Sequence, residues 1–340
     1  MPLAILMAGA VLSIALAVSA HQEIGRSAQA RFDSTAFDLA RKVEARFDDY
    51  IAVLTGLRAR FNTPEGVTRS DFRDYVAGLN LETAYPGFQA VNYAPSIAAK
   101  DRHAFEEKVR GDASLDSGVA SGFAIKPPGK RDIYYPLVYI EPQAGNERLI
   151  GNDLGAMPDR GDALEQGRDT GGLVTSGRKV RIPGRESDIG LAMRLPVYQP
   201  GQPLDTLEQR RSAYIGSVGA GFSIAGMLRD MVSPGAAKTL RLRLRLVDAG
   251  PGKGAIGTRI ETRFVPTTAF SEQQLLFDSA GMAKSSVAPA HSLQRTLGFE
   301  LGGHSWLVEV GQDENQVFGP LDKTIPWFIV FGGLATSMLL

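Results

Sequence analysis

AFDLARKVEARFDDYIAVLTGLRARF, residues 36–61, carries an apolar residue at almost every third or fourth position. Such spacing is the stripe of an amphipathic helix, and charged residues fill its other faces. The stripe consists of Ala36, Ala40, Val43, Phe47, Tyr50, Ile51, Leu54, Leu57 and Phe61. It predicts a stalk helix over 21–62, about 40 residues and roughly 60 Å long. Two partners fit the stripe, the helix's own domain or the same helix of a second chain.

Both ends of the chain are apolar. Residues 2–20 contain no charge, and a helix needs about 20 apolar residues to cross a bilayer core, so 1–20 is predicted to be a membrane anchor. The alternative is a cleaved signal peptide, since Val18-Ser19-Ala20 resembles a cleavage site. Residues 323–340 predict the start of a second span with Trp327 at the interface. Two spans predict a receptor layout, with an output domain expected beyond Leu340.

Between the spans the apolar period changes to two, which indicates strands separated by short helices. The first series fills 63–204, and the turn-rich linker QPGQPLD (199–205) separates it from a second series over 205–322. The strands predicted in the first series are FQAVNYA (88–94), IYYPLVYI (133–140), LVTSGRKVRI (173–182) and GLAMRLPVY (190–198). The second series begins with SAYIGSVGAGF (212–222) and continues with LRLRLRLVD (240–248). The sequence therefore predicts an α+β fold with two tandem modules on a stalk.

Composition disfavours several classes of function. Lysine plus arginine and aspartate plus glutamate both total 37, so no net field attracts nucleic acid. The chain has no cysteine, and its four histidines lie far apart, which argues against a metal site. It has no GxxxxGK[ST] or GxSxG motif, and Asp169-Thr170-Gly171 is better explained as a helix end than as a protease triplet. We therefore expect a binding module without a cofactor or catalytic residues.

Three blocks of sequence resemble the CHASE domain, the extracytoplasmic sensor module of bacterial and plant receptors joined to histidine kinases or diguanylate cyclases. The blocks are FRDYVAGL followed by YPGFQAVNYAP (72–95), GNDLGAMPDRGDALEQGRDTGGLVTSG (151–177) and GLAMRLPVYQPG (190–201). The resemblance implies two PAS-like subdomains, a small-molecule ligand in the membrane-distal one, and a homodimer formed through the stalk. It also implies a bacterial inner-membrane protein with residues 21–322 in the periplasm.

The resemblance points to ligand-binding residues in the first module. It implies that Asp153 hydrogen-bonds the ligand and that Val174 lines the pocket, with Thr175 beside it. From the residues alone, Asp153 has an alternative role, bonding its own backbone in an Asx turn. Arg194 departs from the plant members of the family. If its side chain points outward it is a surface residue, whereas if it points inward its fork suits a carboxylate or phosphate.

Tyrosines are dense in the first module, and their rings could clamp a flat or apolar ligand. Tyr93 and Tyr139 are the two candidates, the others being expected in the core or at edges. A second class of function remains open, a membrane-anchored adhesion or structural module with no small ligand. A polar-lined cavity near Asp153 would favour sensing, whereas apolar packing there would favour adhesion.

Overall fold

The computed structural model describes residues 2–115, 117–177, 179–182, 185–232, 240–247, 263–264, 275–282 and 292–339. In this part of the chain a long N-terminal helix joins two large antiparallel sheets, so the α+β class is confirmed. The helices are α1 (Pro2–Arg60), α2 (Arg69–Gly78), α3 (Leu81–Ala84), α4 (Arg102–Arg110), α5 (Ser117–Ser121), α6 (Pro158–Thr170), α7 (Leu207–Ala213), α8 (Ile224–Leu228), α9 (Glu314–Val317) and α10 (Pro320–Leu339). The strands are β1 (Phe88–Pro95), β2 (Ile97–Ala98), β3 (Ile133–Tyr134), β4 (Tyr139–Glu141), β5 (Val174–Thr175), β6 (Val180–Ile182), β7 (Arg185–Tyr198), β8 (Tyr214–Ser223), β9 (Leu240–Val247), β10 (Arg263–Phe264), β11 (Leu275–Asp278), β12 (Ser292–Leu301) and β13 (His304–Asp313).

Helix α1 runs for 59 residues without a break and is the spine of the molecule. All nine residues of the predicted stripe are buried within the single chain. The stripe therefore packs on the helix's own domain, which is one of the two partners that the pattern allowed. On one side Tyr50 stacks on Phe88 at 4.5 Å, and on the other Phe47 packs 5.2 Å from Trp306. Helix α1 therefore packs against both sheets through aromatic side chains.

The first sheet has the strand order β4-β1-β8-β7-β5, with β6 paired to the outer end of β7. All of these pairings are antiparallel. Strand β8 lies in the middle of this sheet, although we expected residues 212–222 to open the second module. That expectation was wrong, because the linker at 199–205 leads through α7 back into the first sheet. A run of turn residues marks a bend in the chain, but only hydrogen bonding decides which sheet a strand joins.

The second sheet has the order β10-β12-β13-β9-β11. The alternation in β9 is confirmed, since Leu242, Leu244 and Leu246 are buried. The intervening arginines are half-buried rather than free in water, because each pairs with an acid on a neighbouring strand. The pairs are Arg241–Asp278, Arg243–Asp278, Arg243–Glu309 and Arg245–Glu309. This sheet therefore has one apolar face against α1 and one charged face.

Prolines and glycines set several of the local boundaries. Helix α6 begins at Pro158 after Met157, which fits the preference of proline for the first helical turn. It ends at Gly171 in the left-handed conformation, as expected. The strand predicted over 133–140 is split into β3 and β4 around Pro136, which has no amide hydrogen to donate. Helix α4 follows a 3-10 turn at Ala99–Asp101 and is regular only from Arg102.

The two ends of the chain lie together. Among the described residues, one helix is long and apolar enough to cross a membrane, and it falls within Leu6–Arg60. The second span predicted for 323–340 corresponds to the 20-residue helix α10 and stays a prediction. Helices α1 and α10 pack so closely that a Cβ atom added at Gly9 would lie 1.8 Å from the Oγ of Ser337. One turn further along the helices, a Cβ atom added at Gly333 would likewise lie 1.8 Å from the Oγ of Ser13.

Candidate functional site

A cavity of about 340 Å³ lies between one face of the first sheet, helix α6 and the loop that precedes α6. Its volume is at the small end of the range found for small-molecule sites. Most of the wall is apolar, and the apolar residues that contribute atoms to it are Ala90, Leu137, Leu149, Leu154, Ala163, Leu164, Val174, Val180, Leu191, Ala192, Ala220 and Phe222. The polar side chains in the wall are Gln89, Asn92, Asn146, Asn152, Arg160, Thr175, Ser176 and Arg194.

Arg194 lies at the centre of the sheet side of the cavity. Its cross-strand neighbours are Val174 on β5 and Gly219 on β8. Because Gly219 has no side chain, the guanidinium extends over β8, and a Cβ atom at Gly219 would lie 2.3 Å from Nη1. On the far side of Gly219, Asn92 of β1 accepts a hydrogen bond from Nη1 at 2.6 Å. Arg194 therefore points inward, which is the orientation that suits an anionic group.

The charge of Arg194 is buried among neutral partners. Its Nε donates to the Oγ of Ser217 at 2.9 Å, and its Nη2 donates to the carbonyl oxygen of Ser217 at 2.7 Å. None of the described carboxylates forms an ion pair with it. The pKa of Arg194 is lowered to about 10, chiefly by burial, and the positive charge of Arg160 acts in the same direction. Two cations therefore line one cavity and destabilise each other.

Val174 and Thr175 are both buried and both line the cavity, as the resemblance implied for a pocket strand. They form the short edge strand β5, which also contacts the second sheet. The amide nitrogen of Thr175 donates to the carbonyl oxygen of Gly302 at 3.1 Å, in the tight turn between β12 and β13. Gly302 has a φ of 59°, and a Cβ atom there would lie 2.3 Å from Thr175. The cavity wall and the second sheet are thus in direct backbone contact.

Asp153 is buried, but its side chain is not among those that line the cavity. Its Oδ1 accepts hydrogen bonds from the amides of Tyr135 at 2.8 Å and Gly155 at 3.0 Å. Its Oδ2 lies 3.3 Å from Nη1 of Arg131. The bond to the amide two residues ahead is the Asx-type arrangement that the sequence offered as the alternative. Asp153 therefore stabilises the loop. Its two chain neighbours, Asn152 and Leu154, line the cavity.

Tyr93 and Tyr139 lie on the opposite face of the sheet from the cavity. Strand periodicity puts Asn92 of β1 toward the cavity and Tyr93 toward α1. The ring of Tyr93 packs 4.4 Å from Phe61 of α1 and 5.7 Å from Tyr139. Both hydroxyl groups donate to backbone carbonyls, of Ile215 and Val67 respectively. Tyr93 therefore joins the sheet to the stalk helix, and Tyr139 packs beside it against Phe72 of α2.

Sequence reasoning missed several lining residues. The alternation of FQAVNYA could have identified Asn92, since a polar residue in a buried strand needs a polar partner. Arg160 carried another signal, a positive charge in the first turn of a helix, where the helix dipole disfavours cations. Ser176 follows β5 directly and carried no signal of its own. In the described ranges, His, Asp and Glu residues form no group suited to a metal ion.

Comparison with known proteins identifies one family and several remote relatives. The family model described as the CHASE domain matches residues 65–256. Hybrid signal transduction histidine kinase A of Dictyostelium discoideum is 27% identical over 152 residues, which are 42% of this chain. The same match spans only 7% of that kinase, so the chain corresponds to a small part of the relative's length.

Three solved structures share a distant likeness with this chain. The periplasmic sensory domain of the Campylobacter jejuni chemoreceptor Tlp1 has a TM-score of 0.48 at 13% identity, over 87% of this chain and 99% of that one. An extracellular ligand binding receptor from Desulfohalobium retbaense scores 0.46 at 12% identity, over 83% and 40%. The ligand-binding domain of the Pseudomonas aeruginosa PAO1 amino acid chemoreceptor PctC, in complex with GABA, scores 0.42 at 12% identity, over 84% and 99%. At TM-scores below 0.5 these likenesses carry no functional argument.

Proposed function

The chain belongs to the CHASE domain family, and we propose that it senses a small molecule bound in the cavity between the first sheet and α6. The family match confirms the resemblance that the sequence indicated, and CHASE is an extracytoplasmic sensory domain of signalling receptors. The observation that carries the ligand proposal is the cavity itself, about 340 Å³ with a buried arginine in a mostly apolar wall. A cavity beside the Asp153 loop, with several polar residues in its mostly apolar wall, favours sensing over adhesion.

The ligand-contacting residues in this proposal are Val174, Thr175 and Arg194, together with Asn92 and Arg160. All five line the cavity. Asp153 acts on the site indirectly, because its bonds to backbone amides hold the loop that forms one wall. Tyr93 transmits rather than binds, since it packs between the sheet and α1, and Tyr139 supports it from the side of α2.

The domain layout that we propose has the first sheet as the membrane-distal PAS-like module and the second sheet as the membrane-proximal one. The first module includes 205–223, because β8 is hydrogen-bonded between β1 and β7. Two spans, at the start of α1 and in α10, anchor the protein in a bacterial inner membrane with the sheets in the periplasm. The close pairing of Gly9 with Ser337 supports this arrangement, because small residues let membrane helices approach.

Signal transmission in this proposal uses the contact between Thr175 and Gly302. A ligand that binds one arrangement of β5 better than another shifts the population of the two arrangements. The shift reaches the second sheet through the β12–β13 turn and then reaches α1 and α10. The output domain, a histidine kinase or diguanylate cyclase, lies across the membrane. A homodimer would use the face of α1 opposite the stripe, since the stripe is buried within one chain.

The test measures ligand-induced stabilisation of the full chain in lipid nanodiscs. A library of neutral, acidic and basic small molecules is screened by thermal shift against the wild type and against Ala192→Phe, which fills the cavity from β7. Ala77→Phe, on the exposed surface of α2, is the matched control. We expect saturable shifts in the wild type and in Ala77→Phe that disappear in Ala192→Phe. If Ala192→Phe retained every shift, the cavity would not be the ligand site.

A further inference from the structure

The charges in the cavity wall are of one sign. Among the residues that the structure describes there, two are arginines, Arg160 on α6 and Arg194 on β7, and none is a carboxylate. Arg194 is buried and none of the described carboxylates pairs with it, which is rare because removing a charge from water is costly unless another charge compensates it. A cavity that concentrates positive charge in this way is complementary to an anion.

The hydrogen bonds of Arg194 leave a defined pair of donors. A guanidinium has five N–H groups, one on Nε and two on each terminal nitrogen. Three of these have acceptors, at Ser217 Oγ, Asn92 Oδ1 and Ser217 O. One N–H therefore remains on Nη1 and one on Nη2. With one donor left on each terminal nitrogen, the guanidinium can bind both oxygens of a carboxylate.

The surroundings of Arg194 hold this pair in place. Asn92 and Ser217 fix the guanidinium from two strands, so little side-chain entropy remains to be lost when a ligand binds. Gly219 provides the space, since any side chain there would displace Nη1. Apolar residues of three elements complete the wall around it, among them Ala192 of β7, Leu154 of the loop and Leu164 of α6. Such apolar surface suits the apolar body of a ligand whose charged end lies at Arg194.

We propose that the ligand is a small organic acid whose carboxylate binds Nη1 and Nη2 of Arg194 while its apolar body lies against the wall between β7 and α6. Arg160 contributes a second positive charge on the opposite side of the cavity. This inference rests on the proposed sensing function and narrows its ligand to one chemical class. Before binding, the two arginines repel each other, and the carboxylate relieves that repulsion.

The test compares acids with their uncharged amides. Phenylacetate and hexanoate are titrated into the full chain in nanodiscs beside phenylacetamide and hexanamide, with binding measured by calorimetry and thermal shift. We expect saturable binding of at least one acid and binding of its amide at least ten-fold weaker. Arg194→Gln is expected to weaken acid binding about 10- to 100-fold, the usual effect of losing a charge-assisted hydrogen bond. Arg194→Lys keeps the positive charge but loses the planar pair of donors. Its affinity for the acid is expected to lie between those of the wild type and Arg194→Gln.

Two further variants complete the design. Arg229→Gln, on the exposed C-terminal end of α8, is the matched control and is expected to bind like the wild type. Arg160→Gln is expected to weaken acid binding by a smaller factor than Arg194→Gln, and it tests the charge argument even if Arg194→Gln does not fold. Equal binding of acids and amides, or acid binding unchanged in both Arg194→Gln and Arg160→Gln, overturns the carboxylate inference and leaves cavity sensing intact. Absence of saturable binding by every acid and amide overturns the inference. The library screen with Ala192→Phe then decides separately whether the cavity binds a ligand.

Discussion

Replacing Asp153 by alanine is expected to destabilise the loop at 149–157 rather than only to remove a ligand contact. In the wild type its Oδ1 accepts from the buried amide of Tyr135 and the half-buried amide of Gly155. Alanine leaves the Tyr135 amide buried without an acceptor, which costs about 1.5–3 kcal/mol for a bond to a charged group. The second bond and the pairing with Arg131 at 3.3 Å raise the expected loss to about 3–5 kcal/mol.

Asparagine at the same position separates charge from hydrogen bonding. Asp153→Asn keeps an oxygen acceptor for both amides and loses only the negative charge, so a smaller loss of about 1–2 kcal/mol is expected. The matched control is Asp74→Ala, which removes an exposed acid on α2. Its unfolding free energy should change by less than about 0.5 kcal/mol.

Hydrogen exchange of the Tyr135 amide measures the effect where it arises. Since 1.4 kcal/mol is a factor of ten in an equilibrium constant, exchange should rise about 100-fold or more in Asp153→Ala and about ten-fold in Asp153→Asn. The reasoning is refuted if Asp153→Ala exchanges and unfolds like Asp74→Ala while its ligand-induced thermal shift disappears. That result would make Asp153 a direct ligand contact.

Three other perturbations test the packing, the pH dependence and the membrane end. Phe47→Ala should cost about 3–5 kcal/mol in urea unfolding because the ring is fully buried between α1 and the second sheet, and a loss under about 1 kcal/mol would contradict this. The hydrogen bond from Arg211 lowers the pKa of Asp169 to about 2 from 3.8, so this pair stabilises the fold above pH 4 and its contribution is lost as the pH falls toward 2. The difference in melting temperature between wild type and Asp169→Asn should therefore shrink over that range, and a constant difference would argue against the pair. Because a Cβ atom at Gly9 would lie 1.8 Å from the Oγ of Ser337, Gly9→Val should separate α1 from α10 and lower the melting temperature, whereas an unchanged melting temperature would contradict the α1–α10 pairing.

Much of the secondary structure could be predicted from the sequence because its signals are local. Thr68 begins α2 through a capping box with Asp71, a pattern that spans only four residues. Gly171 ends α6 because glycine adopts the left-handed conformation without strain. The leucines of β9 alternate with arginines, and strand geometry alone separates the two faces.

The candidate site could be predicted only in part, since its wall comes from several strands, a helix and a loop that are far apart in the sequence. Val174 and Thr175 were identified through their position in a family motif. The direction of Arg194 remained open because a half-buried strand has two faces, and its choice depends on Gly219 and Asn92, residues on two other strands. Asp153 was expected at the ligand because its motif resembles a binding motif, while its actual acceptor role depends on the amide of Tyr135, 18 residues away.

The sequence by itself determined the family, the α+β class, the long stalk helix and most of the strands, because hydrophobic period, caps and turn residues act over a few neighbouring positions. The tertiary structure decided the rest. It packed the stripe of α1 on the chain's own sheets and placed β8 at the centre of the first sheet. It also pointed the side chain of Arg194 toward the cavity and that of Asp153 away from it. These outcomes depend on hydrogen bonds and burial between residues distant in the chain, which no local pattern specifies.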